Sequence, residues 1–243
     1  RFTATYPHIS VADDIKISDI ANALSAFIIK EWTSFDSPFD AFLSGDTTAL
    51  TEVEKVGMDL FFRTGGCAEC HSGPLLSDQK FHAIGIPPLG PGRTRRFDPM
   101  VRDVGHMGES DDLSDAYAFR TPMLRNVELT APYGHNGAYP TLEGVVRHHI
   151  NPIESFDNWT PQTVVLPDVP WIKKIDFIVW QDAREIARQR AAIKLDPVIL
   201  TNTDVNALVA FLRALTGRAS TKGILGIPEK VPSGLPVDKR LLR

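Results

Sequence analysis

The sequence predicts a mainly α-helical protein with long loops, and three observations carry that prediction. Four windows repeat apolar residues at the helical interval. The stretches between them are rich in Pro and Gly, with Pro87, Pro88 and Pro91 close together. Little of the chain alternates apolar and polar residues as a strand would, and no internal repeat is present.

The first window is "SDIANALSAFIIKEW", where Ile20, Leu24, Phe27 and Ile28 form one apolar face and Ser18 or Asp19 can serve as cap. "SPFDAFLSGD" reads as a turn-rich link. In "TEVEKVGMDLFFRTGG", Thr51 and Glu54 make a capping-box pattern, and Val53, Val56 and Leu60 are expected to line the packed face. Gly65 and Gly66 end that helix. Residues 72–120 read as loop and include the basic run "RTRRF"; "TLEGVVRHH", capped by Thr141, is the third helix. Residues 151–200 hold a Pro-rich stretch, the apolar "KKIDFIVW", and a helix expected at "QDAREIARQRAAIK". The last helix, "TDVNALVAFLRAL", places Val205, Leu208, Val209, Leu212 and Leu215 on one face.

At 243 residues, with 43% hydrophobic and 23% charged residues, the chain has ordinary globular composition and can bury a real core. A net charge of −4 gives no electrostatic case for binding nucleic acid or an anionic membrane. No apolar run approaches the roughly 18–20 residues of a membrane span.

Both cysteines lie in one motif, Cys67-Ala68-Glu69-Cys70-His71. CxxCH reads as the covalent attachment site of a c-type haem. Two residues between the thiols, on the first turn of a helix, let each sulfur meet one vinyl-derived carbon of the porphyrin, and the next residue aims its imidazole at the iron. The competing readings are weaker. A disulfide this short adds little loop-closure entropy, and zinc would want a second ligand pair where the chain has no further Cys. A thioredoxin-like redox pair would need a βαβ setting.

Haem iron held by His71 alone stays open to small ligands, whereas a sixth ligand makes an electron carrier. The candidates are Met107, His135, His148 and His149, with His82 and His106 behind them. In "TLEGVVRHH", Leu142, Val145, Val146 and His149 share a stripe, which favours His149. His148 is rotated about 100° from it, toward solvent or a rim.

Three stretches together resemble the bacterial di-haem cytochrome c peroxidase family, which includes the MauG-type enzymes. They are "SPFDAFLSGD", the CxxCH segment, and "FRTPMLRNVELTAPYGHNGAYPTLEGVVRHH". The match runs from about residue 18 to 150 and resumes at the final helix, the extent of that family's C-terminal, electron-transferring haem domain. The resemblance implies a cytochrome c-like helical haem domain over residues 18–243, with an extra helical insertion at about 151–200. Residues 1–17, which open without Met, would be the tail of an N-terminal domain carrying the peroxide-binding haem.

Position by position, Cys67, Cys70 and His71 match the family's haem attachment site. His149, 14 residues after His135 of "YGHNG", takes the place of the distal ligand. That place is usually Met in the peroxidases and Tyr in the MauG type, so imidazole here is a departure that should lower the potential. The family's interdomain calcium would engage main-chain carbonyls of Thr130 and Pro132. Periplasmic location, hydrogen peroxide reduction, and a small cytochrome or copper protein as donor follow from the same resemblance. No catalytic residue is expected within this chain.

The rivals are a stand-alone mono-haem carrier, a MauG-like oxidant of a partner protein, and a haem-based sensor. The insertion, with Trp159, Trp171 and Trp180, reads as a covering layer, or else as a docking surface for a partner or a second copy of the chain. Arg93, Arg95, Arg96 and Arg102 form a loop that would be solvated, pair with a haem propionate, or steer an acidic donor.

Overall fold

Three threonines that precede apolar-periodic runs, Thr51, Thr141 and Thr201, each cap a helix, their hydroxyls accepting the amide N–H three residues on. The computed structural model describes residues 2–92, 102–226 and 228–236. In chain order its helices are α1 (Phe2–Thr5), α2 (Ile17–Trp32), α3 (Pro38–Leu43), α4 (Glu52–Phe62), α5 (Met107–Ser110), α6 (Leu142–Ile150), α7 (Pro152–Asn158), α8 (Ala183–Ala191), α9 (Asn202–Arg213) and α10 (Arg218–Lys222). Two short strands, β1 (Phe81–His82) and β2 (Phe119–Arg120), pair antiparallel with Phe81 opposite Arg120. The fold is mainly helical with long loops, as the sequence predicts.

The core forms where α4 and α6 pack on α9. Val205, Leu208, Phe211, Leu212 and Leu215 are buried there, with Phe61 of α4 and Leu142 and Val146 of α6. The packed face of α4 differs from the expected one. Val53 and Val56 are exposed, while Gly57 and Phe61 face α9. The reason is close approach: a Cβ on Gly57 would stand 1.9 Å from the Ala207 carbonyl oxygen and 2.9 Å from the Phe211 Cβ. Gly57→Ala should therefore push the two helices apart and lower stability by roughly 1–3 kcal/mol, read as a drop in Tm. A Tm unchanged within error would show that the helices can separate freely.

Two further expectations are corrected. "SPFDAFLSGD" is not a link: Ser37, Pro38 and Asp40 supply a cap, a first-turn proline and an N3 carboxylate, and so start α3. In α2 the N-cap is Lys16, whose N–H donates to Asp19 at 2.9 Å, so Asp19 sits inside the first turn. The apolar face of α2 is also not core. Leu24 (58% exposed), Phe27, Ile28 and Trp32 face outward, while Asp19 and Glu31 are buried. Glu31 is held by the N–H groups of Ile224 and Leu225.

Residues 151–200 pack against the rest of the chain through α7, which lies on α6. Phe156 and Trp159 are buried, and the Trp159 indole N–H donates to the Ala138 carbonyl at 3.0 Å. Trp180 meets Trp159 edge-on at 4.9 Å, and Trp171 is exposed. "KKIDFIVW" forms turns, and the helix expected after it is α8, begun by the Asp182 carboxylate. Among the described residues, no helix is long and apolar enough to cross a membrane.

Candidate functional site

The CxxCH segment leaves α4 through a tight turn. The Gly65 N–H returns to the Leu60 carbonyl at 2.7 Å, and Gly66 takes φ 68°, a conformation that glycine adopts without Cβ strain. Cys67–Glu69 is then a single 3-10 turn, not a continuing helix. The Cys67 carbonyl accepts from both Cys70 N–H (3.3 Å) and His71 N–H (2.8 Å), so one turn gathers both thiols and the imidazole.

The thiols are unbridged. Burial pushes the Cys67 thiol up to about 11 and also raises Cys70. Thiols so shifted are mostly protonated at neutral pH, the opposite of an activated redox pair. Cys67 and Ala68 pack against the core, which fixes the turn.

His71 is oriented by its own chain. Its Nδ1–H donates to the Leu76 carbonyl at 3.1 Å, which leaves the Nε2 lone pair free. Leu76 is a buried residue held at φ 53°, where a branched side chain costs about 1–2 kcal/mol that its burial offsets. Burial and then the neighbouring His149 push the His71 imidazole down to about 4, so it is neutral at physiological pH.

α6 brings His149 close to it. The His149 Nδ1–H donates to the Val145 carbonyl at 2.8 Å, and burial lowers its pKa. The two ring centres lie 6.4 Å apart. Two imidazoles bound through nitrogen to opposite sides of one metal atom, at about 2.0–2.1 Å each, have ring centres roughly 6–6.5 Å apart. Among the described residues, no hydrogen bond engages either Nε2. Both groups are neutral, fixed from behind, and correctly spaced for one metal atom between them. With two thiols on the adjoining turn, a covalently attached haem fits this residue set.

His148 is not at a rim. It is fully buried, with both ring nitrogens engaged: Nε2–H donates to the Ile84 carbonyl at 2.8 Å, and Nδ1 accepts from the Tyr139 hydroxyl at 2.8 Å. The buried arc of α6 is wider than its apolar stripe because Tyr139, the Ile84 segment and α7 cover the flank beside it. The remaining candidates are placed elsewhere. His135 stacks on Phe119 and pairs with Asp103 at 3.4 Å, and His106 stacks on Phe81 and lies 3.6 Å from Asp115. His82 pairs with Asp78 at 2.8 Å, and Met107 opens α5.

Asp78, His82 and Cys70 form a compact group, the one cluster of three such side chains with metal-ligand spacing among the described residues. Thr130 and Pro132 lie on an exposed turn. Of the basic loop, Arg102 reaches the buried Glu185 at 3.5 Å, while Arg93, Arg95 and Arg96 lie outside the described residues.

The sequence did not single out Arg125, Tyr139 or the Leu76 carbonyl. Arg125 grips Asp40 of α3 with one Nη (2.8 and 2.9 Å) while its Nε–H donates to the Pro74 carbonyl at 2.7 Å. It thereby ties α3 to the loop that carries Leu76. An arginine in an irregular stretch gives no periodic signal, and a carbonyl gives none in any sequence.

No family model matches the chain. A cytochrome-c peroxidase of Denitromonas iodatirespirans, IdrP2, is 36% identical over 151 residues, covering 55% of this chain and 41% of that protein. Cytochrome c peroxidase Ccp of Escherichia coli (strain K12) is 39% identical over 130 residues, covering 53% of this chain and 26% of that protein. MauG of Methylophilus methylotrophus is 32% identical over 139 residues, covering 56% and 38%. The chain thus spans at most about two fifths of these relatives' lengths. Among solved structures, a MauG-like protein associated with microbial copper homeostasis superposes with TM-score 0.60 at 27% identity, covering 86% of this chain and 60% of that one. The di-haem peroxidase BthA of Burkholderia thailandensis E264 shares the fold, with TM-score 0.51, 24% identity, and coverage of 77% and 48%. Over the segments it shares with them, the chain is similar in sequence to the bacterial cytochrome c peroxidases and MauG proteins, and its fold is that of the MauG-like and di-haem peroxidase structures.

Proposed function

We propose that this chain is the electron-transferring haem domain of a periplasmic, peroxidase-like oxidoreductase. The observation that carries this is the close pair His71 and His149, each tethered through Nδ1 with Nε2 unengaged, beside the two thiols. Cys67 and Cys70 would hold haem c by thioether bonds, and His71 and His149 would be the protein ligands of its iron. Haem c supplies a one-electron iron couple when bound. With both imidazoles bound to the iron, no position would be left for peroxide, and imidazole in place of Met would set a lower potential. Peroxide reduction then belongs to a second haem domain, and this chain passes electrons to it from a small cytochrome or copper protein.

Two features support a second domain. The relatives are more than twice the length of the matched segment. The outward apolar face of α2, with Leu24, Phe27, Ile28 and Trp32, needs cover of that kind. The Thr130 and Pro132 carbonyls would contribute to a calcium ion at such an interface. The structural likeness to a MauG-like protein keeps oxidation of a partner protein as the second reading.

The test is the purified, haem-loaded chain after reduction, mixed with carbon monoxide and separately with hydrogen peroxide. The expected result is one haem per chain, no carbon monoxide complex within seconds, and no peroxide turnover. Rapid carbon monoxide binding with turnover would make this haem the peroxide site and overturn the proposal.

A further inference from the structure

The two adjacent histidines of α6 carry opposite protons. At His149 the proton sits on Nδ1 and Nε2 is bare; at His148 it sits on Nε2, because that atom faces the Ile84 carbonyl at 2.8 Å. His148 Nδ1 is then an acceptor, and the Tyr139 hydroxyl is its donor at 2.8 Å. Tyr139 in turn accepts from the Ser155 hydroxyl at 3.1 Å. The chain of donors runs in one direction, from Ser155 on α7 through Tyr139 and His148 to the segment after β1. Each link is satisfied, and His148 itself is 0% exposed. Burial holds Tyr139 up at about 12, so its hydroxyl keeps the proton that it donates.

This network fastens α6 at the residue directly before His149, and it does so from two directions. Tyr139 and α7 hold one edge of the His148 ring, and the Ile84 carbonyl holds the other. A helix pinned this way cannot turn about its axis without breaking two buried hydrogen bonds. Turning is the motion that would carry the His149 imidazole away from His71, since 100° separates successive residues around the helix. The apolar contacts of Leu142 and Val146 hold α6 against the core, and the two hydrogen bonds of His148 add a directional constraint to that packing.

We infer that His148 is the positioning residue for His149: its neutral imidazole, wired between Tyr139 and the Ile84 carbonyl, sets the rotation of α6 that presents His149 Nε2 toward His71. The inference rests on the reading of His149 as an iron ligand. It predicts that losing the His148 hydrogen bonds loosens that ligand although no bond to it is removed.

The experiment compares the haem-loaded ferric wild type with His148→Phe, Tyr139→Phe and His149→Ala. It reads the low-temperature EPR spin state, the rate of cyanide binding, and Tm. Wild type should be low-spin and bind cyanide slowly, because His149 must leave first, and His149→Ala should be high-spin and fast. His148→Phe keeps a ring of similar size but leaves the Ile84 carbonyl unpaired. Cyanide binding should then quicken about tenfold, with a high-spin fraction, because the unpaired buried carbonyl no longer holds α6 in place. Tyr139→Phe removes one hydroxyl and should shift both signals the same way by a smaller factor. It carries the test if His148→Phe does not fold. A lowered Tm with wild-type spin state and cyanide rate in the folded variants would overturn the positioning role. A wild type that is wholly high-spin would instead overturn the ligand assignment of His149, and the inference with it.

Discussion

Replacing Cys67 and Cys70 together by alanine is expected to leave the chain without covalent haem. After maturation in a bacterial periplasm, the denatured wild-type polypeptide should have the mass of the bare chain plus one haem. The double variant should have the mass of the bare chain alone. The expectation rests on geometry as well as motif: the Cys67 carbonyl binds the N–H groups of both Cys70 and His71, so a single turn fixes all three side chains. His71 and His149 would still be present, so pigment that co-purifies with the double variant should be lost on denaturation. Each single variant should retain one thioether and a shifted haem spectrum. Covalent haem on the double variant, or none on the wild type, would remove the ground for a c-type site.

The second large effect is expected at Arg125. Its guanidinium meets both oxygens of Asp40, and both side chains are only 13% exposed. Arg125→Met would leave the half-buried Asp40 carboxylate with only Ser37 beside it and cost about 1–3 kcal/mol. Against a typical total of about 5–15 kcal/mol, that is a clearly measurable loss of stability. Burial alone would raise the Asp40 pKa, but hydrogen bonds from Ser37 and Arg125 outweigh it and hold the group below its usual value.

A carboxyl lowered in the folded state stabilises above its unfolded pKa, near 4, and that stabilisation fades as pH falls through the folded value. The wild type should therefore lose stability in acid faster than Arg125→Met, and the gap between them should narrow from pH 7 to pH 3. Urea unfolding at both pH values measures this. An equal gap at both would mean that the aliphatic stem of Arg125 and its stacking on Phe35, not its charge, support the loop. Because Arg125 also holds the Pro74 carbonyl, the variant should disturb the segment through which Leu76 fixes His71.

Much of this was legible in the sequence because it is written in local patterns. Thr51 and Thr141 are caps in sequence and in structure, and the CxxCH spacing needs only one turn to bring its groups together. His149 stands in register with Leu142, Val145 and Val146, so helical periodicity alone set it apart from most other candidates. The start of α3 was also written locally, in Ser37, Pro38 and Asp40, but the glycine and serine around it read as a turn.

What periodicity could not supply was which side of each helix has a neighbour. Apolar spacing says that a face exists, and only packing says what lies against it. Val53 and Val56 of α4 face outward because Gly57 lets α9 come within reach of the opposite face. The apolar face of α2 lies on the outside of the described structure, and its two acids turn inward. His148 is buried because Tyr139, Ser155 and Ile84, far apart in sequence, converge to satisfy both of its nitrogens. The sequence by itself determined α2, α4, α6, α8 and α9, the CxxCH motif and the candidacy of His149. Only the tertiary structure decided the 6.4 Å pairing of His149 with His71, and which histidine of the pair on α6 keeps a free Nε2, since both depend on partners that the chain brings together only by folding.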